Sequence, residues 1–269
     1  MRRLKTLAIL LLVLSTVFSC SKFRKIEKNP DWRVKYEAGL KYYDKKDYYR
    51  TSVLFEQILP IISGQPEAEK VRFYLAYCQY YQKYYLLAAE QFRAFYETYG
   101  RSSFAEEARY VHAYSLFRSS PGPNLDQTGS IQAMASMQDF LNRYPNSSYK
   151  DKAIEIIYTV QERLETKGFH NARQYYKMRY YKAAVVALED FRNNFPDSKY
   201  LEEAQYLSVL AQYKYAEKSI RARQQERYQA VVENYKDFVD RYPDSEFLKD
   251  AEKLYADSLE KLTQLKTNS

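Results

Sequence analysis

Two cysteines, two histidines and a few paired acids are the residues of this 269-residue chain best equipped for chemistry. Catalysis or metal binding needs such groups to converge at ligand spacing. His112 and His170 each fall on a predicted helix with no His, Cys or carboxylate cluster around them. There is no G-x-S-x-G elbow, no glycine-rich phosphate loop and no papain-like cysteine signature. The pairs Glu106-Glu107 and Glu202-Glu203 stand at predicted helix starts, where the helix dipole favours negative charge without any acid-base role. The expectation is a protein that is not an enzyme, with no metal and no cofactor apart from a covalent lipid on Cys20.

Cys20 is the cysteine with a chemical context. Arg2, Arg3 and Lys5 precede an apolar run from Leu7 to Val17, which is too short to span a bilayer comfortably and suits a secretory signal. The run ends in Val17-Phe18-Ser19-Cys20, similar to the lipobox of bacterial lipoproteins, with Val17 and Phe18 where Leu and a small residue are more usual. Residues 1–19 are therefore expected to be a signal peptide and 20–30 a lipidated linker, with an ordinary signal peptide or an uncleaved anchor as the alternatives. The linker's Lys22, Arg24, Lys25 and Lys28 suit anionic headgroups or a solvated tether. Secretion removes nucleic acid as a partner despite the net charge of +8. Cys78, in LAYCQYY, then has no cysteine partner and is expected to be a buried small residue of a helix.

The elements that must carry these residues are helices. Six glycines and eight prolines leave little material for tight β-turns, while Ala, Leu, Lys and Glu are plentiful. Four segments align without a gap, starting at Phe95 (FYETYGRSSFAEEA), Phe140 (FLNRYPNSSYKDKA), Phe191 (FRNNFPDSKYLEEA) and Phe238 (FVDRYPDSEFLKDA). Each describes a helix that ends, turns at Gly or Pro, and restarts after a Ser or Asp able to cap the next N-terminus. Seven positions before each Phe, or before Ile58 in a degenerate first copy, stand Thr51, Ala88, Ala133, Ala184 and Val231, and three before stand Phe55, Phe92, Met137, Leu188 and Tyr235. A small contact and a bulky wedge on one face pair helices closely. Gly39, Ala76, Ala113 and Ala172 supply the matching small residue in the preceding helices. SSPGPNLDQTG, near residues 119–129, is expected to be a loop, and Ser147 to Lys167 an added helix ending near Gly168.

The pattern resembles tetratricopeptide repeats, and implies an all-α, tetratricopeptide-like superhelical array of about five helix pairs, closed by a C-terminal helix near residues 246–264. The repeats divide into residues 31–145 and 146–269. Thirty tyrosines suit half-buried positions and contact surfaces. Tyr36, Leu40 and Tyr43 recur at an offset of 37 as Phe73, Tyr77 and Tyr80 and again as Tyr110, Tyr114 and Phe117, each trio on one helical stripe. This stripe either lines a peptide-binding groove or forms core rings.

The signal, the YP-x-S turns and FHNARQYYKMRYYKAAVVALEDFRNNFPDS from Phe169 together resemble the BamD family, lipoproteins of the β-barrel assembly machinery. The resemblance implies a lipid-anchored scaffold on the outer membrane, facing the periplasm. Its implied partners are the periplasmic domains of the central assembly protein and incoming outer-membrane protein clients, whose peptides the aromatic stripe would bind. The segment after about Ala216 is longer than the family pattern, so the family's C-terminal contacts are not carried over. The competing readings are a tetratricopeptide lipoprotein of another envelope complex, organising the cell wall or Tol-Pal-like, and a glycan-binding protein.

Overall fold

The computed structural model describes residues 22–267, in which helices are joined by turns and short irregular segments and no strand forms. They form two compact units, divided between Val160 and Gln161, with Gly122–Leu125 belonging to the second. In the first, a short helical segment at residues 22–27 precedes α1 (Trp32–Asp44), α2 (Tyr48–Ile58), α3 (Pro66–Tyr81), α4 (Tyr85–Thr98), α5 (Ala105–Ser119) and α6 (Thr128–Arg143). The helix α7 (Lys150–Lys177) gives its opening residues to this unit and the remainder to the second, which continues with α8 (Tyr181–Asn194), α9 (Leu201–Glu217), α10 (Arg221–Arg241) and α11 (Leu248–Thr267). In the first unit α1 to α6 pack each on the next; in the second, α7 meets α8 through Phe169 and Ala172, α8 to α11 pack each on the next, and α11 also closes against α9. The described residues form the expected all-α helix pairs, three in the first unit and the rest in the second, with α11 as the capping helix.

One expected boundary is displaced. The helix predicted to end near Gly168 runs through it to Lys177. Glycine inside a helix costs about 1 kcal/mol relative to alanine. Here the missing side chain admits two rings, because a Cβ on Gly168 would lie 3.2 Å from both Phe191 and Phe195. Gly168 is thus a packing position and not a helix terminator.

The small-and-bulky pattern builds the core. Thr51, Ala88, Ala133, Ala184 and Val231 are fully buried, as are Phe55, Phe92, Met137 and Leu188. Tyr235, the fifth wedge, is half-buried instead and stacks on Tyr255 of the capping helix at 4.4 Å. Gly39 faces Phe55 so closely that an added Cβ would sit 2.3 Å from the ring. Cys78 is buried in α3, and that burial pushes its thiol up to about 12.

The turns between pairs share one geometry four times over. Ser102, Ser147, Ser198 and Ser245 each accept through Oγ the amide of the aromatic residue two positions on, at 3.0 to 3.3 Å. The N-cap positions of α5 and α9 are Phe104 and Tyr200, which make no side-chain cap bond, so the serine orders the turn just before the helix. The aromatic it orients then stacks on a ring of the pair's first helix: Phe104 on Phe73, Tyr149 on Tyr110, Tyr200 on Phe169 and Phe247 on Tyr206, with centroids 4.4 to 4.7 Å apart. The same first-helix ring contacts the Phe that opens the motif, namely Phe95, Phe140, Phe191 or Phe238. Offset-stacked and edge-on aromatic pairs contribute about 0.5 to 1.5 kcal/mol each beyond the area they bury.

Turns within a pair are closed differently. Lys46, Lys83 and Arg179 adopt positive φ of 60°, 67° and 64°. After each, the chain makes the two bonds of a Schellman cap, as where the Lys83 amide donates to the Tyr80 carbonyl and the Tyr84 amide to that of Gln79.

Candidate protein-binding surfaces

In the first unit the predicted stripe resolves into three columns with different surroundings. Tyr36, Phe73 and Tyr110 form the inner column. Phe73 and Tyr110 are only 3% and 7% exposed, their faces taken by the motif rings just described, and Tyr36 stacks on buried Phe55. The middle column is half-buried. Leu40 packs onto the cluster around Phe55 and Val71, Tyr77 meets Phe92 edge-on at 5.0 Å, and Tyr114 stacks on Tyr110 at 5.8 Å. The Tyr77 hydroxyl donates to Glu107 on the next first helix. Burial first, and then this bond, raise its pKa well beyond the usual phenol range.

The outer column links helices and turns. Tyr43 stacks on Tyr74 at 4.5 Å and meets Tyr48 across the α1–α2 turn, while Tyr80 contacts Tyr85 across the α3–α4 turn and Tyr114 on α5. Phe117 stacks on Tyr114 and packs against Ala89, Leu116 and Ala133. Burial pushes Tyr80 up to about 12. Leu40 and Phe117 apart, the middle and outer columns therefore present half-buried phenol rings with polar tips, held by their neighbours. This arrangement suits contact with an extended peptide, because the rings are ordered before binding.

A second surface lies wholly within the second unit. An open groove of about 860 Å³ runs past Tyr175, Tyr180, Tyr181, Val186, Ala187 and Tyr215. Tyr180 and Val186 are exposed for more than half their surface. Arg179, Lys182 and Lys218 form a basic rim, opposed by Asp190. The left-handed turn at Arg179 is what brings Tyr175 and Tyr180 to the same side, through the bond from the Tyr180 amide to the Tyr175 carbonyl. Periodicity gave no sign of this groove, although its residues lie in the stretch from Phe169 that carries the family resemblance.

The candidates for other chemistry do not converge. His112 is buried with Nδ1 2.8 Å from the Ala89 carbonyl oxygen, and that burial lowers its pKa. His170 is exposed, 3.4 Å from Asn124 Oδ1. Among the described residues no three His, Cys, Asp or Glu side chains are placed to hold a metal, and no helix is long and apolar enough to cross a membrane. Cys20 and the signal peptide lie outside the described residues.

Fold and surfaces together define an all-helical repeat protein of tetratricopeptide type. The family model described as YfiO, outer membrane lipoprotein, matches residues 30–177 and again 166–267, nearly all of the described chain. This chain belongs to that family of outer membrane lipoproteins. It is 27% identical over 198 residues to a protein of Aquifex aeolicus (strain VF5) named putative outer membrane protein assembly factor BamD, covering 73% of this chain and 65% of the relative. It is also 24% identical over 174 residues to the outer membrane protein assembly factor BamD of Rickettsia prowazekii (strain Madrid E), covering 65% of this chain and 69% of that one. The chain thus spans slightly under two thirds of the Aquifex relative's length.

Proposed function

We propose that this lipoprotein is a non-catalytic assembly factor for outer-membrane proteins, anchored through lipid on Cys20 and facing the periplasm. The ring columns of the first unit receive an extended segment of an incoming client. The groove of the second unit docks the periplasmic part of the central β-barrel assembly protein. The observation that carries this reading is the groove: large apolar side chains stand open to water there with a basic rim, and such exposed patches mark interaction sites. The family and the names of the relatives supply the class of partner.

Crosslinking in intact cells, with Tyr180→Ser plus Val186→Asp compared against Tyr80→Ala plus Tyr114→Ala, tests both surfaces. The first pair is expected to abolish recovery of the central assembly protein with an unchanged melting temperature. The second is expected to weaken crosslinking of unfolded clients while the central protein is still recovered. Recovery of both partners by both folded variants would refute the assignment. Association with a cell-wall partner instead would favour the other envelope role.

A further inference from the structure

Three consecutive second helices of the first unit carry a large apolar side chain, open to water, at the same register. Tyr49 on α2, Leu86 on α4 and Ile131 on α6 each stand two residues before the buried small contact, Thr51, Ala88 or Ala133, and are 67%, 64% and 50% exposed. In the second unit the same position holds Lys182 and Gln229. Packing within the fold has no use for these three side chains.

Two further features mark this edge. The turns beside Tyr49 and Leu86 carry exposed Lys45, Lys46 and Lys83, the last two held outward by their left-handed backbone. Asp44 is exposed nearby, while Asp47 is engaged in capping α2 and pairing with Arg50. The polypeptide also enters the unit here, because the Phe23 ring packs edge-on against Tyr42 at 5.7 Å and lies under the Arg50 guanidinium at 5.4 Å. Cys20 is three residues before Phe23, a reach of at most about 10 Å.

We infer that this edge seats on the lipid surface that holds the anchor, with Tyr49, Leu86 and Ile131 at the headgroup–acyl boundary and the lysines against anionic phosphates. The inference rests on Cys20 being acylated. An acylated N-terminus on a short linker fixes where the unit is held, and apolar and basic contacts from the protein surface add to that hold. A lipid tether alone leaves the unit free to turn. A seated edge orients it.

The test uses the unique tryptophan. Trp32 opens α1, and the helix carries it about 18 Å from this edge. The full-length processed lipoprotein is reconstituted into phosphatidylethanolamine–phosphatidylglycerol vesicles with brominated acyl chains, and the lipid on the N-terminal peptide is confirmed by mass. Tryptophan placed at the edge by Tyr49→Trp or Leu86→Trp, each with Trp32→Phe, should lose roughly half its fluorescence, as expected for a group at the acyl boundary, while Trp32 of the unaltered chain should not. Replacing phosphatidylglycerol by phosphatidylcholine should reduce the quenching. An acylated chain that floats with the vesicles but shows no quenching at positions 49 and 86 overturns the seat and leaves the anchor intact. A chain without lipid on Cys20 overturns the anchor and, with it, the seat.

Discussion

Gly39→Ala separates helix propensity from packing by the sign of its effect. Gly39 lies inside α1, where alanine is intrinsically favoured by about 1 kcal/mol. The new Cβ, however, would stand 2.3 Å from Cε1 and 2.8 Å from Cδ1 of Phe55. That ring is fully buried and stacked against Tyr36, so it has nowhere to retreat without moving α1 from α2. Overpacking of a close-packed core costs about 1 to 3 kcal/mol, and an overlap of more than an ångström belongs in the upper part of that range. Set against the propensity gain, the net destabilisation is about 1 to 2 kcal/mol. For a chain of this size that lowers the melting temperature by about 2 to 8 °C, readable by circular dichroism. Phe55→Leu should relieve the contact, so the double variant should be less destabilised than the sum of the single ones by about 1 kcal/mol. A rise in melting temperature for Gly39→Ala alone, or strict additivity with Phe55→Leu, would refute the close α1–α2 contact.

Lys83 adopts a left-handed conformation that costs a non-glycine residue about 1 to 2 kcal/mol, so Lys83→Gly should stabilise by about 0.5 to 1 kcal/mol once the added freedom of the unfolded chain is deducted. Denaturant titration would show it as a higher midpoint with an unchanged slope, and destabilisation would mean the turn is not strained. His112 contributes a pH dependence. Burial holds its pKa below 6.5, so the unfolded chain binds the extra proton first, and stability present above pH 6.5 is lost as pH falls toward the lower folded value. The stability difference between the wild type and His112→Gln should therefore narrow between pH 7.5 and 5.5, and a constant difference would show that His112 titrates normally.

Much of this architecture was legible along the chain because tetratricopeptide packing writes itself into local spacing. Phe at a fixed distance from a small residue and a wedge, then Pro or Gly, Ser and an aromatic, specifies a helix, its stop and its restart with contacts only a few turns apart. That is why the helix pairs, the buried Ala88, Ala133 and Ala184 and the capping helix could be placed without coordinates. Composition likewise pointed away from catalysis, and the signal and motifs pointed to the family.

Tertiary structure decided what spacing leaves undetermined. The stripe from Tyr36 to Phe117 has one helical periodicity, yet Phe73 and Tyr110 of its inner column are core while Tyr36 and the other two columns remain half-open. Periodicity reports which face of a helix a residue occupies, not which ring from another turn will cover it. Gly168 looked like a terminator and is a socket for two phenylalanines, a distinction made by α8. The left-handed turns at Lys46, Lys83 and Arg179 carry no glycine to announce them; the packing of each helix pair imposes the conformation on side chains that disfavour it. The second unit's groove exists because one such turn sets Tyr175 and Tyr180 side by side, a juxtaposition created by the backbone's path through Arg179.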